Sequence, residues 1–162
     1  MSYRLVKVEP LSGKCSSIYS IIENDDEATS LEQFLADNIV SFKSETENIL
    51  MRLKTIGHKT GARESFFKTF EGKPGDGVCA LYDEPGSHLR LYCIRFANQL
   101  VVVGSGGHKP KSIRTLQEDE KLKNENAFLC WLSAEITSRI IDKEISYCND
   151  FRDFTGNLEF HD

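Results

Sequence analysis

The chain has 162 residues, 40% of them hydrophobic and 28% charged, with a formal net charge of −5. That length suits one domain spanning residues 1–162, and the composition excludes a disordered or low-complexity chain. No apolar run approaches the ~18 residues of a membrane-spanning helix, and the opening MSYRLVKVEP lacks the apolar core of a secretory leader, so a cytoplasmic protein without membrane contact is expected.

Five cysteines (Cys15, Cys79, Cys93, Cys130, Cys148) lie far apart with no CxxC pair. Reduced, mostly buried thiols are expected, with no zinc site and no cofactor. The charge is unevenly spread. Residues 1–57 carry 6 Lys+Arg against 9 Asp+Glu, residues 58–114 carry 9 against 5, and residues 115–162 carry 5 against 11. A basic middle lies between two acidic flanks. Because salt screens charges beyond ~8–10 Å, such a middle can hold an anion on an acidic protein.

In chain order, Tyr3 to Val8 alternates polar and apolar residues as a strand does, and Ile18 to Ile22 is a second strand, apolar on both faces. Ser30 is the expected N-cap of a helix carrying Leu31, Phe34 and Leu35 on one face. Ser44 opens a second helix through a capping box with Glu47, and Gly57 ends it. The two helices are expected to form an antiparallel hairpin. Four short strands follow, Phe66 to Phe70, Val78 to Tyr82, Leu89 to Phe96 and Leu100 to Val103. Their tight connections make an antiparallel meander the natural pairing. Ser112 caps a last helix whose charged stretch QEDEKLKNEN interrupts or bends it, and Asn124 starts a fresh segment with a Phe128, Trp131, Leu132, Ile136 and Ile140 stripe. The tail after Ile145 forms a small hairpin or an arm. The expected class is α+β, a helical hairpin followed by an antiparallel four-strand meander and a C-terminal helix. Helices cover one sheet face, and the other is covered or functional.

The stretch HLRLYCIRFANQLVVVGSGGHKPKSIR, His88 to Arg114, concentrates cations beyond what strand alternation explains. Arg90, Tyr92 and Ile94 share one strand face, expected to be open, while Leu89, Leu91, Cys93 and Arg95 share the other. Arg90 offers a planar fork for phosphate and Tyr92 a stacking surface for a base. The GSGG run reads as an exit loop whose amides turn towards an anion, followed by His108, Lys109, Lys111 and Arg114. It lacks Walker-loop spacing, which argues against a nucleoside triphosphate.

Two helices followed by FFKTFEGKPGDGVCALYDEPGSHLRLYCIRFANQLVVVGSGGHKPKSIRTLQED resemble the RelE/ParE/HigB superfamily of bacterial toxins, above all its phage-derived HigB-like branch. The resemblance covers residues 18–123, leaving 124–162 as an added helix and tail. It implies a RelE-like fold and a type II toxin–antitoxin component. The implied activity is that of a ribosome-dependent mRNA endoribonuclease, a ParE-like gyrase poison being the family's other branch. The implied partners are the ribosome with its mRNA and an antitoxin, expected to be a small helix-turn-helix protein; a homo-oligomer is also compatible.

Cleavage of this kind has the ribose 2′-OH attack the scissile phosphate, with a base, an acid and cations supplied by the protein. By matching position, Arg90 is the expected phosphate clamp and His108 or Lys109 the proton donor, with Lys68, Tyr92, Arg95, Lys111 and Arg114 on the substrate. The whole assignment needs Arg90 and His108 in one open hollow. The alternative is a non-catalytic protein-binding module that holds a partner on the sheet and the Phe128-to-Ile140 stripe.

Overall fold

The computed structural model describes residues 1–69, 75–81, 86–109 and 116–162. Its strands are β1 (Ser2–Lys7), β2 (Ser17–Glu23), β3 (Phe67–Lys68), β4 (Val78–Leu81), β5 (Leu89–Phe96), β6 (Leu100–His108), β7 (Ile145–Cys148), β8 (Asp153–Gly156) and β9 (Glu159–His161), and its helices are α1 (Ser30–Asn38), α2 (Lys43–Thr55) and α3 (Leu116–Ile141).

Seven strands form one sheet in the order β3-β4-β5-β6-β2-β1-β9, and β7 and β8 make a separate hairpin. The meander of β3 to β6 is therefore only half of the sheet. β2 lies beside β6 and runs parallel to it, Ser17 opposite Leu100 and Ser20 opposite Val103. β1 and β9 extend the sheet beyond β2 in antiparallel register. This corrects the expected helical hairpin plus four-strand meander: the fold is a mixed α/β sheet with helices on both faces. The physical reason lies in β2. Ser17 to Ile21 are all buried, which is the burial of an inner strand, and an inner strand needs a partner on each edge.

Alternation of side chains divides the core in two. On one face Ile18, Leu91, Cys93, Val101 and Val103 pack beneath Leu31 and Phe34 of α1 and Leu53 of α2. On the other, Tyr19, Ile21, Tyr92, Ile94 and Val102 pack beneath Leu129, Leu132 and Ile136 of α3. The apolar stripe of α3 thus faces the sheet. Trp131 and Phe128 at its margin stack around Tyr3 at ring-centroid distances of 5.7 and 4.6 Å.

Several element ends differ from the sequence reading by a residue or a mechanism. α1 is capped by Thr29 rather than Ser30: the Thr29 hydroxyl accepts the Glu32 N–H and the Glu32 carboxylate accepts the Thr29 N–H, each at 3.1 Å. α2 starts at Lys43, which puts Ser44 inside the first turn, so no Ser44–Glu47 capping box forms, and its N-cap Phe42 makes no side-chain cap bond. Gly57 does not stop the helix, which runs on through one π-type turn to Gly61 at φ 76°. Gly57 is needed because a Cβ there would sit 1.9 Å from the Leu11 carbonyl oxygen. α3 is one continuous helix of 26 residues through the charged stretch, with Asn124 inside it; the expected cap Ser112 lies outside the described residues.

The tail is built in. Phe154 of β8 packs against Tyr19 and Phe96. Asp153 accepts from Ser17 Oγ at 2.9 Å and pairs with Lys7 at 3.0 Å. Arg139 of α3 donates to the Asn157 and Glu159 carbonyls and lies 4.0 Å over the Phe160 ring, which locks β9 to the helix. Among the described residues, no helix is long and apolar enough to cross a membrane.

Candidate functional site where strand β5 enters and strand β6 leaves the sheet

At one end of the sheet, His108 sits opposite Leu89 and Gly107 opposite Arg90. The ladder extends one step further, the Lys109 N–H donating to the His88 carbonyl at 2.8 Å. His88, Arg90, His108 and Lys109 therefore occupy neighbouring positions at the same strand ends. The sequence stretch singled out for its cations does converge in space, but not in the way the assignment required.

Opposed residues in an antiparallel pair share a face. His108 shares the face of Leu89, the α1/α2 side, and its ring meets Phe42 edge-on at 4.9 Å. Arg90 shares the face of Gly107, where an added Cβ would touch Lys121 and Leu122 of α3. Arg90 and His108 thus project to opposite sides of the sheet, so they do not line one hollow.

The other expected residues are scattered. Tyr92 is 4% exposed in the core under α3 and offers no ring face to a base; the face read as open is covered. Arg95 lies at the far end of β5, five residues from Arg90 and so ~17 Å away at ~3.3 Å per residue. Its guanidinium donates to the Ala62 carbonyl at 2.7 Å and to Asn98 Oδ1 at 2.6 Å, fastening the loop after α2 to the β5–β6 turn. Lys68 is exposed on the edge strand β3, opposite Ala80 of β4, which in turn faces Tyr92. Lys111 and Arg114 lie outside the described residues.

The glycine run is not an exit loop. Gly104 to Gly107 belong to β6, and none of these glycines has a positive φ, so their amides do not fold into an anion nest. Two of them answer a local crowding. A Cβ at Gly106 would lie 1.7 Å from the Arg90 carbonyl oxygen, and one at Gly104 would lie 2.6 Å from Glu125 Oε1. Between Leu91↔Gly106 and Cys93↔Val103 the register shifts, so that Gly104 and Ser105 together oppose Tyr92 in a β-bulge. A bulge leaves its extra residue outside the ladder. Here the Ser105 N–H is taken by Glu125 of α3 at 2.8 Å. Burial raises the Glu125 carboxyl above its ordinary range, against the opposing pull of that N–H and of Lys121.

A different constellation, absent from the sequence reading, occupies the His108 side. Glu45, in the first turn of α2, grips the entry of β5 at three points. Its Oε1 accepts the backbone N–H groups of His88 and Leu89 at 2.7 and 3.2 Å, and its Oε2 lies 2.7 Å from His88 Nδ1. Phe42 stacks on the same imidazole, centroids 5.2 Å apart at 29°. Burial pushes the Glu45 carboxyl up, but the bonds from the His88 ring and from the two backbone amides outweigh it and hold it below its usual range. With Nδ1 fixed by a carboxylate, the imidazole is oriented and its Nε2 is the edge left to meet a ligand; the His88 side chain is 44% exposed. No sequence signal joins residues 43 positions apart; in the sequence Glu45 is only one letter of the SETE capping pattern.

Beside this pair, between α2 and the β4–β5 floor, lies a pocket of about 240 Å³ with Glu45, Asn48 and Arg52 on its helical wall and Leu81, Leu89 and Leu91 beneath. On the α3 side, a cleft of about 490 Å³ carries Glu23, Glu120 and Glu125 against Lys121 alone. That balance repels a phosphate, whereas the pocket beside His88 sets Arg52 against Glu45. Among the described residues no cluster of His, Cys, Asp and Glu is arranged to hold a metal. Comparison of the chain with family models, with curated proteins and with solved structures finds no match.

Proposed function

We propose that the protein is an RNA-cleaving toxin of a type II toxin–antitoxin pair, acting on ribosome-bound mRNA and held in check by a small helix-turn-helix antitoxin. Its working surface is the end of the sheet where β5 enters and β6 leaves, on the α2 side. The observation that supports this most is the pair of imidazoles on the α2 side, His88 and His108, both in contact with Phe42 at 5.2 and 4.9 Å between ring centroids. Phosphodiester cleavage by an internal 2′-OH needs proton transfer at two oxygens and positive charge on the phosphate, and two imidazoles, one of them as the imidazolium, supply these without a bound metal. Arg90, on the other face, is no part of this site.

A second reading is favoured by one observation: the sheet face expected to be open is sealed by α3 and the β7–β8 hairpin, with Tyr92 4% exposed. On that reading the protein binds a partner and cuts nothing. Controlled expression without the neighbouring gene separates the two. Growth arrest with mRNA cut in translated regions is expected of the toxin. Arrest with trapped gyrase–DNA complexes and intact mRNA would transfer the protein to the ParE-like branch, and harmless expression would leave the binding module.

A further inference from the structure

Resting on the reading of this protein as an RNA-cleaving enzyme, we infer that His88, oriented by Glu45, is the catalytic base, and that the pocket against α2 seats a nucleobase of the RNA next to the bond that breaks. Neither residue belongs to the pattern that the resemblance brought forward.

Three features of the geometry carry the inference. The first is the completeness of the grip on His88: Glu45 engages the ring nitrogen and the backbone of the same residue, both at 2.7 Å, while Phe42 holds the ring plane. An imidazole fixed at one nitrogen, restrained in plane and 44% exposed has the preorganisation that proton transfer requires. The second is the companion: Phe42 contacts both imidazoles, at 5.2 and 4.9 Å between ring centroids, which puts His108 on the same side of the sheet as His88 and makes it the nearest imidazole to serve as the acid. The third is the pocket, of which Glu45 itself is a wall. Its volume of about 240 Å³ lies below the ~300–1,000 Å³ of whole-ligand sites and suits one planar base. Leu81, Leu89 and Leu91 give it an apolar floor for a base's face, and Asn48 on its rim is a residue type that reads base edges.

The step balances without a co-reactant. His88 Nε2 takes the proton of the ribose 2′-OH as the O2′–P bond forms. The P–O5′ bond breaks, and the leaving 5′ oxygen takes a proton from the His108 imidazolium. The products are a 2′,3′-cyclic phosphate and a 5′-hydroxyl end, with one proton gained by His88 and one lost by His108. Glu45 touches no substrate in this scheme; it is a positioning residue.

The test is expression of the full chain with mapping of mRNA ends, for wild type, His88→Ala, His88→Gln, Glu45→Gln and, as a control on the outer face of α2, Lys54→Ala. The expected result is 2′,3′-cyclic phosphate ends with wild type and Lys54→Ala, and a loss of ~10²–10⁴-fold in cutting for both His88 variants, with circular dichroism and melting midpoint close to wild type. Glu45→Gln keeps an oxygen for the two backbone amides but loses the charge behind the imidazole. It is expected to cut more slowly and to shift the pH profile of cutting by the purified complex, a change that a purely structural role would not produce. If His88→Ala fails to fold, His88→Gln, which retains a donor towards Glu45, decides in its place. Cutting by wild type with undiminished cutting by His88→Gln overturns the inference and leaves the proposed function standing. Cut ends bearing 3′-hydroxyl and 5′-phosphate also overturn the inference alone. No cutting by wild type overturns both.

Discussion

Replacing Glu125 tests how the bulge in β6 is supported. Three facts bear on the outcome: the Ser105 amide has left the ladder, Glu125 Oε1 accepts it at 2.8 Å, and burial raises the carboxyl's pKa. Glu125→Ala strands a half-buried N–H, which costs at most what a fully buried one does, about 1–3 kcal/mol, and it also relieves the carboxylate of its desolvation, which returns part of that cost. Glu125→Gln keeps an oxygen acceptor and removes the charge, so only the relief remains. The expected order of stability at neutral pH is therefore Gln at or above wild type, with Ala lowest. For a chain of this size each 1 kcal/mol moves the midpoint by roughly 2–4 °C, which calorimetry or urea denaturation resolves.

The pH dependence carries a sign. A carboxyl whose pKa is raised by folding contributes its stability in the protonated state. That contribution is full below the unfolded value of 4.5 and is lost as pH rises through the folded value. Wild type should therefore gain on the Gln variant as pH falls, and the difference between them should close in acid. If Gln destabilises as much as Ala at neutral pH, or if Ala is harmless while the Ser105 amide stays protected from exchange, the account of the bulge is wrong.

Glu45 has the opposite sign. Its carboxyl is held low by the His88 and Leu89 bonds, so the stability it contributes is present above the unfolded value and is lost as pH falls through the folded one; Glu45→Ala should flatten the acid limb of a stability–pH curve measured between pH 6 and pH 3. Gly106→Ala drives a methyl group onto the Arg90 carbonyl, 1.7 Å from the ideal Cβ position, and the β5–β6 ladder must part to admit it; a loss of soluble protein or a fall of several degrees in the melting midpoint is expected, whereas Gly75→Ala, strained by its φ of 86° but with nothing within 4 Å, should fall less. Tyr19, pushed up to about 12 by burial, accepts the Phe154 N–H at 3.0 Å. Tyr19→Phe should cost about 1–3 kcal/mol by orphaning that amide, and ultraviolet titration should show that the variant loses ionisation that in the wild type appears only as the protein unfolds in alkali.

How much of this was legible beforehand differs from level to level. Period-two and period-3.6 patterning located every strand of the main sheet but β9, and all three helices, because those periods follow from side-chain geometry within one element. The partnership of β2 was not legible. Ile18 to Ile22 being apolar on both faces signalled an inner strand, but nothing local says that its partner is Leu100 to Val103. Short connections argue only for neighbours in sequence, and the parallel β2–β6 pair joins segments some eighty residues apart.

The site was half legible for the same reason. Cation density points to the segment containing His108 and Lys109, whose backbones do lie beside His88 and Leu89 at the strand ends. The face each residue takes does not follow from the sequence, because period-two alternation puts Arg90 and Tyr92 together but cannot say that α3, some forty residues on, buries Tyr92. GSGG carried a misleading message: glycine marks a turn in some chains and a close approach in others, and here the crowding comes from Arg90 and Glu125, which no window around the glycines contains. Glu45 and His88 were silent, one inside an apparent cap, the other an ordinary loop histidine.

The parallel pairing of β2 with β6 also has a bearing on biosynthesis. When residues 17–23 leave the ribosome, the segment that will flank them at 100–103 has yet to be translated. At the ~5–20 residues per second of synthesis, the wait is on the order of 4–16 s. Through that interval a stretch that is oily on both sides can lean only on β1 and on whatever α1 supplies. Nascent-chain crosslinking to holding chaperones should therefore peak once residues 17–23 are outside the exit tunnel and fall away when β6 emerges.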